Sequence, residues 1–223
     1  MSKAFEIVFN DEYLIVVNKI AKILVQPSPK KEKYTLTSLL GKETGRKVYP
    51  CHRLDRETAG LIIYAKSEAA QREIMREFKQ GEVKKKYIAL VKGKLSKKKG
   101  VLEGRIIDRE GKIFGERPKQ AKTIYRVLKE FNNFSMVELE PLTGRTNQLR
   151  IQLAKIGNPI LGERKYAFRR DFAINVKRLA LCAYSLSFTH PLSKERVNLE
   201  IPLPQDMETF LKIHMDRSLF FPN

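Results

Sequence analysis

Apolar residues in this chain gather in short runs separated by polar or glycine-containing breaks, and the period of each run indicates its element. Residues 5–9 (Phe-Glu-Ile-Val-Phe) and 13–18 (Tyr-Leu-Ile-Val-Val-Asn) are rich in β-forming side chains and flank Asn10-Asp11-Glu12, which predicts a hairpin. Residues 26–33 hold two prolines and three lysines and are expected to form a loop. Leu36 to Leu40 starts a short helix that stops at Gly41 or Gly45, and Gly60 to Ala65 is an apolar run of strand length. Between Ser67 and Lys79 the period changes. Ala70, Ile74 and Phe78 recur every four residues behind Ser67, a capping residue, and Gly81 follows as a stop, so a helix is expected there.

Lys84 to Lys92 reads as a strand entered from a basic stretch, and Leu95 to Gly100 as a solvated turn. Residues 101–120 mix Gly, Arg and Lys with isolated apolar residues and predict a long, basic, partly irregular loop. Ala121 to Lys129 and Phe134 to Glu140 predict paired strands. Thr146 to Ile156 predicts a helix with Leu149, Leu153 and Ile156 inward. Leu179 to Phe188 and Arg196 to Ile201 are later strands, and Met207 to His214 a closing helix. Strands outnumber helices and often adjoin in sequence, which implies an α+β fold around a mixed, mostly antiparallel sheet with flanking helices. No repeat or long linker divides the chain, so residues 1–223 are expected to form a single domain. Gly104, Gly111 and Gly115 match neither of the glycine patterns that cradle nucleotide phosphates.

Charge narrows the class of partner. Forty-four Lys and Arg against 25 Asp and Glu give a formal charge of +19, which suits a polyanion, nucleic acid before an anionic membrane. No run of about 18 apolar residues is present to span a bilayer, and the first residues lack the pattern of a signal peptide. Cys51 and Cys182 fit no disulfide framework or metal spacing, and His52, His190 and His214 are scattered. The chain is therefore expected to be cytoplasmic, with no metal site, no cofactor and no membrane partner.

Two polar clusters carry candidate chemistry. The first runs from His52-Arg53-Leu54-Asp55-Arg56-Glu57-Thr58 through Gly60 into a buried-strand pattern, which places a carboxylate between two arginines at the mouth of a sheet. Taken alone it fits a surface ion-pair cluster equally well. The second, Leu142-Thr143-Gly144-Arg145-Thr146-Asn147-Gln148-Leu149-Arg150, leads through a glycine turn into a helix whose N-terminus and side chains suit phosphate. A capped helix with solvated arginines is the plainer alternative. Tyr87, at the start of a strand behind three lysines, is by itself ordinary packing.

Together these segments resemble the RluA-type pseudouridine synthases. His52-Arg53-Leu54-Asp55-x-x-Thr58-x-Gly60-Leu61 is similar to the central motif of that family, and Lys86-Tyr87-x-Ala89-x-Val91-x-Gly93 to its second. Gly144-Arg145-Thr146-x-Gln148-Leu149-Arg150 with Gly157-x-Pro159-Ile160-x-Gly162-x-x-x-Tyr166 is similar to the third. The likeness extends from about Glu6 to Leu211. It implies the pseudouridine synthase fold with a central RNA-binding cleft, and isomerisation of specific uridines in ribosomal or transfer RNA without metal or cofactor. The chain is expected to act on RNA as a monomer, and because it opens on the catalytic pattern it is expected to lack the N-terminal S4 domain that many relatives carry.

Carried over by position, Asp55 is the essential aspartate, Tyr87 the active-site tyrosine and Arg150 the arginine that pairs with the aspartate. Arg53 fills the space left by an extruded nucleotide. His52, Arg145, Thr146 and Asn147 are the accompanying RNA-binding residues. Ala59 stands where the family usually has Ser, Ile20 where Pro is usual, and Asn147, Gln152 and Cys182 where His is common. These departures spare the three catalytic positions and bear on the choice of target. Asp55 attacking C1′, adding to the base, or removing the C2′ proton all fit the residues. A non-catalytic RNA-binding or ribosome assembly protein would share the basic charge but gives no reason for Asp55, Tyr87 and Arg150 to occur together. A metal-dependent nuclease would need several clustered carboxylates.

Overall fold

The computed structural model describes residues 4–28, 32–107, 117–168, 174 and 176–220. The chain divides into two compact units, one of residues 1–85 and 183–202, the other of residues 86–182 and 203–223.

In the first unit the expected hairpin is β1 (Phe5–Asn10) against β2 (Leu14–Lys19), antiparallel, with a register shift between Ile7 and Phe9. Strand β4 (Ala59–Ala65) lies antiparallel to β2, and all seven of its residues are buried. Two helices explain that burial. On one face α1 (Leu36–Thr44), capped by Thr35 and ended by Gly45, hydrogen-bonds Tyr64 through Thr37. On the other, α2 (Glu68–Gln80) lays Ala70 and Ile74 into a core with Leu61, Ile63, Leu14 and Val16. Ser67 accepts the Ala70 N–H, and Gly81, left-handed at φ 76°, closes the helix as the sequence leads one to expect. A two-residue strand, β3 (Tyr49–Pro50), pairs with the end of β4 and was not anticipated. The sheet order is β1-β2-β4-β9, where β9 is Leu181–Thr189, and β10 (Arg196–Glu200) pairs with β9. Gly60, at φ 119°, lets β4 approach β9 closely, since a Cβ there would lie 2.6 Å from the Ala183 amide nitrogen.

The second unit is an antiparallel meander of order β5-β8-β7-β6, formed by β5 (Lys84–Lys92), β6 (Lys99–Ile106), β7 (Lys119–Glu130) and β8 (Phe134–Pro141). Strand β6 corrects the expectation of an irregular loop over 101–120. It pairs with β7 along its whole length, from Lys99↔Arg126 to Ile106↔Lys119. Leu102 and Ile106 are buried on one face, while Val101, Glu103 and Arg105 face water. Gly100 makes room for the Tyr125 ring, which a Cβ would meet at 2.9 Å. Residues 108–116, and with them Gly111 and Gly115, lie outside the described residues, as do residues 1–3 and 29–31.

Helix α3 (Gln148–Lys155) is shorter than expected. Thr146 lies in the preceding turn, and Ile156, expected inward, is 46% exposed just past its end. The helix has six consecutive buried residues, so it lacks the polar face on which a periodic reading depends. Helix α4 (Gln205–Phe220) closes the fold. Among the described residues no helix is long and apolar enough to cross a membrane, and no group of three His, Cys, Asp or Glu could hold a metal ion. Cys51 and Cys182 are buried free thiols, both pushed up to about 12 by burial.

Candidate active site

Asp55 sits in the loop between β3 and β4, and backbone groups brace that loop from several sides. On the β3 side, the Cys51 N–H donates to the Ile63 carbonyl and the Ile63 N–H donates to His52 Nε2, each at 3.0 Å. The Thr58 N–H returns to the Asp55 carbonyl at 3.1 Å, closing a tight turn on the residue of interest. Leu54 and Thr58 are buried anchors at either side, Asp55 is half-buried, and Arg53 and Arg56 are exposed.

The next brace is Lys19, a lysine with no exposed surface at the end of β2. Its Nζ donates to the carbonyls of Ile20 and Ile23 at 3.0 Å and of Arg56 at 3.3 Å. The same Arg56 carbonyl accepts the Lys22 N–H at 2.7 Å, and Arg56 Nε donates to the Lys22 carbonyl at 3.3 Å. A buried ammonium is tolerated when hydrogen bonds replace its hydration, and here that need ties residues 20–23 to the residue after Asp55. Lys22, at φ 70°, takes the left-handed turn that folds this segment back.

His52 differs from a phosphate-binding cation. Burial, aided by the Lys85 charge and opposed by a backbone hydrogen bond at Arg53, pushes its pKa down to about 3. The ring is neutral at physiological pH, uses Nε2 as an acceptor, and packs against Phe78 at 4.7 Å between centroids. Its role in this geometry is to hold the loop against β4.

In the second unit Tyr87 is buried in β5 opposite Leu139. Arg150, on α3, is held on several sides. Its Nε and one terminal nitrogen donate to the two carboxylate oxygens of Glu163 at 2.6 and 2.8 Å, and the other donates to Asn147 Oδ1 at 2.7 Å. The guanidinium carbon lies 5.2 Å from the centroid of the Tyr166 ring. Asn147, at φ 53°, adopts the left-handed conformation that Asn tolerates better than most residues.

Glu163 was overlooked in the sequence, where it stands as an unassigned position between Gly162 and Tyr166. Its signal is a lone carboxylate separated by one glycine from the apolar Pro159-Ile160-Leu161. Gly162, at φ 81°, makes the turn, and a Cβ there would come within 2.7 Å of the Arg178 carbonyl carbon. Burial alone would raise the Glu163 pKa. The hydrogen bonds and charge of Arg150, with the backbone N–H groups of Lys165 and Tyr166, outweigh it and hold the carboxyl below its ordinary value.

The turn before α3 is organised by Gln148. Its Oε1 accepts from the Thr143 hydroxyl at 2.7 Å and the Arg145 N–H at 3.0 Å, and its amide donates to the Lys122 carbonyl and Thr123 Oγ1. The Arg145 N–H is therefore occupied. The side chains of Arg145 and Thr146 are exposed, and Arg145 Nε donates to the Gln120 carbonyl. Gln152 continues the network to Thr123 Oγ1 and to the carbonyls of Leu102 and Ala121.

Comparison with known proteins agrees with these motifs. Residues 13–155 match the family model described as RNA pseudouridylate synthase. The chain is 39% identical over 203 residues to a dual-specificity RNA pseudouridine synthase RluA of Pasteurella multocida, spanning 88% of this chain and 92% of that one. It is 36% identical over 222 residues to a ribosomal large subunit pseudouridine synthase D of Nitrosomonas europaea, covering 93% of this chain and 64% of the relative. Among solved structures it is similar to human RNA pseudouridylate synthase domain containing 4, at TM-score 0.75 and 26% identity over 97% of this chain and 94% of the other. The chain belongs to the RNA pseudouridylate synthase family and is an isomerase that converts uridine in RNA to pseudouridine.

Proposed function

We propose that Asp55 is the carboxylate on which the isomerisation depends, with Tyr87 and Arg150 as its catalytic partners. The reaction breaks the C1′–N1 bond of uridine, turns the base, joins C1′ to C5, moves a proton off C5 and leaves N1 protonated. No water attacks, so one carboxylate is enough where glycoside hydrolysis uses two. Tyr87 stacks on the uracil and helps to remove the C5 proton. Arg150 holds the carboxylate ionised and oriented, and Glu163 with Asn147 keeps the guanidinium in one pose. Arg53 replaces the extruded base in the RNA stack, and the exposed Arg145 and Thr146 contact phosphate. His52 supports this segment as a neutral packing residue, and Asn147 acts through Arg150.

The observation that carries the reading is the setting of Asp55. It occupies the motif position of the family, in a loop clamped at Arg56 by Lys19 and Lys22 and at His52 by Ile63. The substrate is ribosomal or transfer RNA, which the name of the large-subunit relative supports. On this reading the chain is a single catalytic domain, monomeric and cytoplasmic, working without metal, cofactor or membrane.

The test is Asp55→Asn, which keeps size and removes charge. Under single-turnover conditions on an RNA that the wild-type chain modifies, the variant forms no pseudouridine, yet it melts with the wild type and binds the RNA as tightly. Substantial turnover by folded, RNA-binding Asp55→Asn overturns the assignment.

A further inference from the structure

Three successive lysines lead into β5, and each has a different setting. Lys84 is exposed, and Lys86 lies 3.9 Å from the Glu138 carboxylate. Lys85 is drawn inward. Its ammonium stands 5.2 Å from the centroid of the Phe78 ring, the same ring that packs on His52. Among the described residues it has neither a hydrogen-bond acceptor nor an ion-pair partner. A lysine that only covered apolar surface with its stem would send its ammonium out to water. Here the side chain is half-buried with its charged end held over the Phe78 ring, and the partial loss of water holds its pKa below the ordinary lysine value. The Phe78 ring offers no countercharge, and neither does the neutral His52 ring packed on it.

A half-buried ammonium with only an aromatic face beside it lacks an anion. Alternation along β5 puts Lys85 on the same side of the strand as Tyr87, about 7 Å away. The substrate of the family is a polyanion that carries one phosphodiester per nucleotide. We infer that Lys85 is the seat of a single phosphodiester of the bound RNA, at the nucleotide stacked on Tyr87 or its immediate neighbour. The inference rests on the reading of Tyr87 as the tyrosine that receives the target base. It separates Lys85 from the rest of the basic surface. Exposed lysines such as Lys97 and Lys99 exchange water and salt freely and attract RNA diffusely, whereas Lys85 takes one phosphate at a fixed place and sets the register of the strand.

The test compares Lys85→Met and Lys85→Arg with the wild-type chain on one RNA transcript. The saturated single-turnover rate, the RNA concentration for half-saturation and its salt dependence are read together with the melting temperature. Lys85→Met is expected to raise half-saturation about tenfold and to lower the slope of log affinity against log salt by about 0.7–0.9. Its saturated rate stays within about twofold of wild type, and it melts at or above the wild-type temperature because an unpaired desolvated charge has gone. Lys85→Arg keeps the salt slope. Unchanged half-saturation and slope in Lys85→Met overturn the inference. So does loss of the saturated rate alone, which would put Lys85 on the reacting atoms. Failure to fold, or melting more than about 5 °C lower, overturns it by making Lys85 a packing residue. If wild-type protein forms no pseudouridine, the functional reading fails separately, and direct binding of the same transcript across salt still decides the role of Lys85.

Discussion

Glu163→Gln removes one negative charge beneath Arg150 and leaves volume almost unchanged. The native carboxylate receives two charge-assisted hydrogen bonds from the guanidinium, at 2.6 and 2.8 Å, and the backbone N–H groups of Lys165 and Tyr166 at 2.8 and 3.3 Å. Glutamine keeps one acceptor and turns its NH2 towards a donor. Breaking a buried pair by neutralising one partner costs about 3–5 kcal/mol. Arg150 retains Asn147 and Tyr166, which argues for the lower end, about 3 kcal/mol. For a chain of this size that is a fall in melting midpoint of about 6–12 °C. The assay is thermal unfolding of the wild type, both single variants and Glu163→Gln/Arg150→Met, with the double variant less destabilised than the sum of the singles by about 2 kcal/mol. Acid supplies the control. Because the folded carboxyl titrates below its ordinary 4.5, its stabilisation is complete above that value and disappears as pH falls through the folded pKa. The gap between wild type and Glu163→Gln is therefore constant near neutrality and closes below about pH 4.5. A gap under about 1 kcal/mol at pH 7, or one that persists in acid, would show that Glu163 does not stabilise the fold as a buried charged partner of Arg150.

Gly60→Ala adds a methyl group 2.6 Å from the Ala183 amide nitrogen at φ 119°, and it is expected to cost about 4 kcal/mol or more. Gly81→Ala, left-handed but in open space, costs about 1–2 kcal/mol. Denaturant titration separates them, and equal losses would show that the close approach of β4 and β9 is unimportant. His52 resists protonation down to about pH 3 in the folded chain, whereas the unfolded imidazole takes a proton near its ordinary 6.5. Stability should thus fall as pH drops below that value, by up to about 1.4 kcal/mol per unit. His52→Gln, which keeps an acceptor for the Ile63 N–H, should flatten that slope between about pH 6 and 5, and unchanged slopes would count against a neutral buried ring.

Elements set by local rules alone are legible in this sequence, and those set by distant partners are not. Helix α2 announces itself because Ser67, the four-residue repeat and Gly81 are all within one stretch. Strand β6 does not, because its glycines look like breakers until Tyr125 is seen to need the space at Gly100. The four-residue period points Ile156 inward, but α3 does not obey that period, since both sides of that helix are covered. The motif positions Asp55, Tyr87 and Arg150 are legible as a pattern. The pairing of Arg150 with Glu163 is not, because it joins residues 13 apart through a glycine turn whose direction no local rule supplies.

The polar network under α3 has a dynamic consequence. An isolated helix of eight residues would be marginal in water, so α3 persists through its attachments. Gln148 and Gln152 bind backbone or hydroxyl groups of Leu102, Ala121, Lys122 and Thr123, and Lys155 Nζ donates to the Arg105 carbonyl. Hydrogen bonds of this kind have a fixed register, unlike apolar contacts that slide. The amide protons of α3 should therefore exchange with solvent only when β6 and β7 open, as one cooperative unit. The helix that carries Arg150 inherits the slow opening rate of the sheet beneath it.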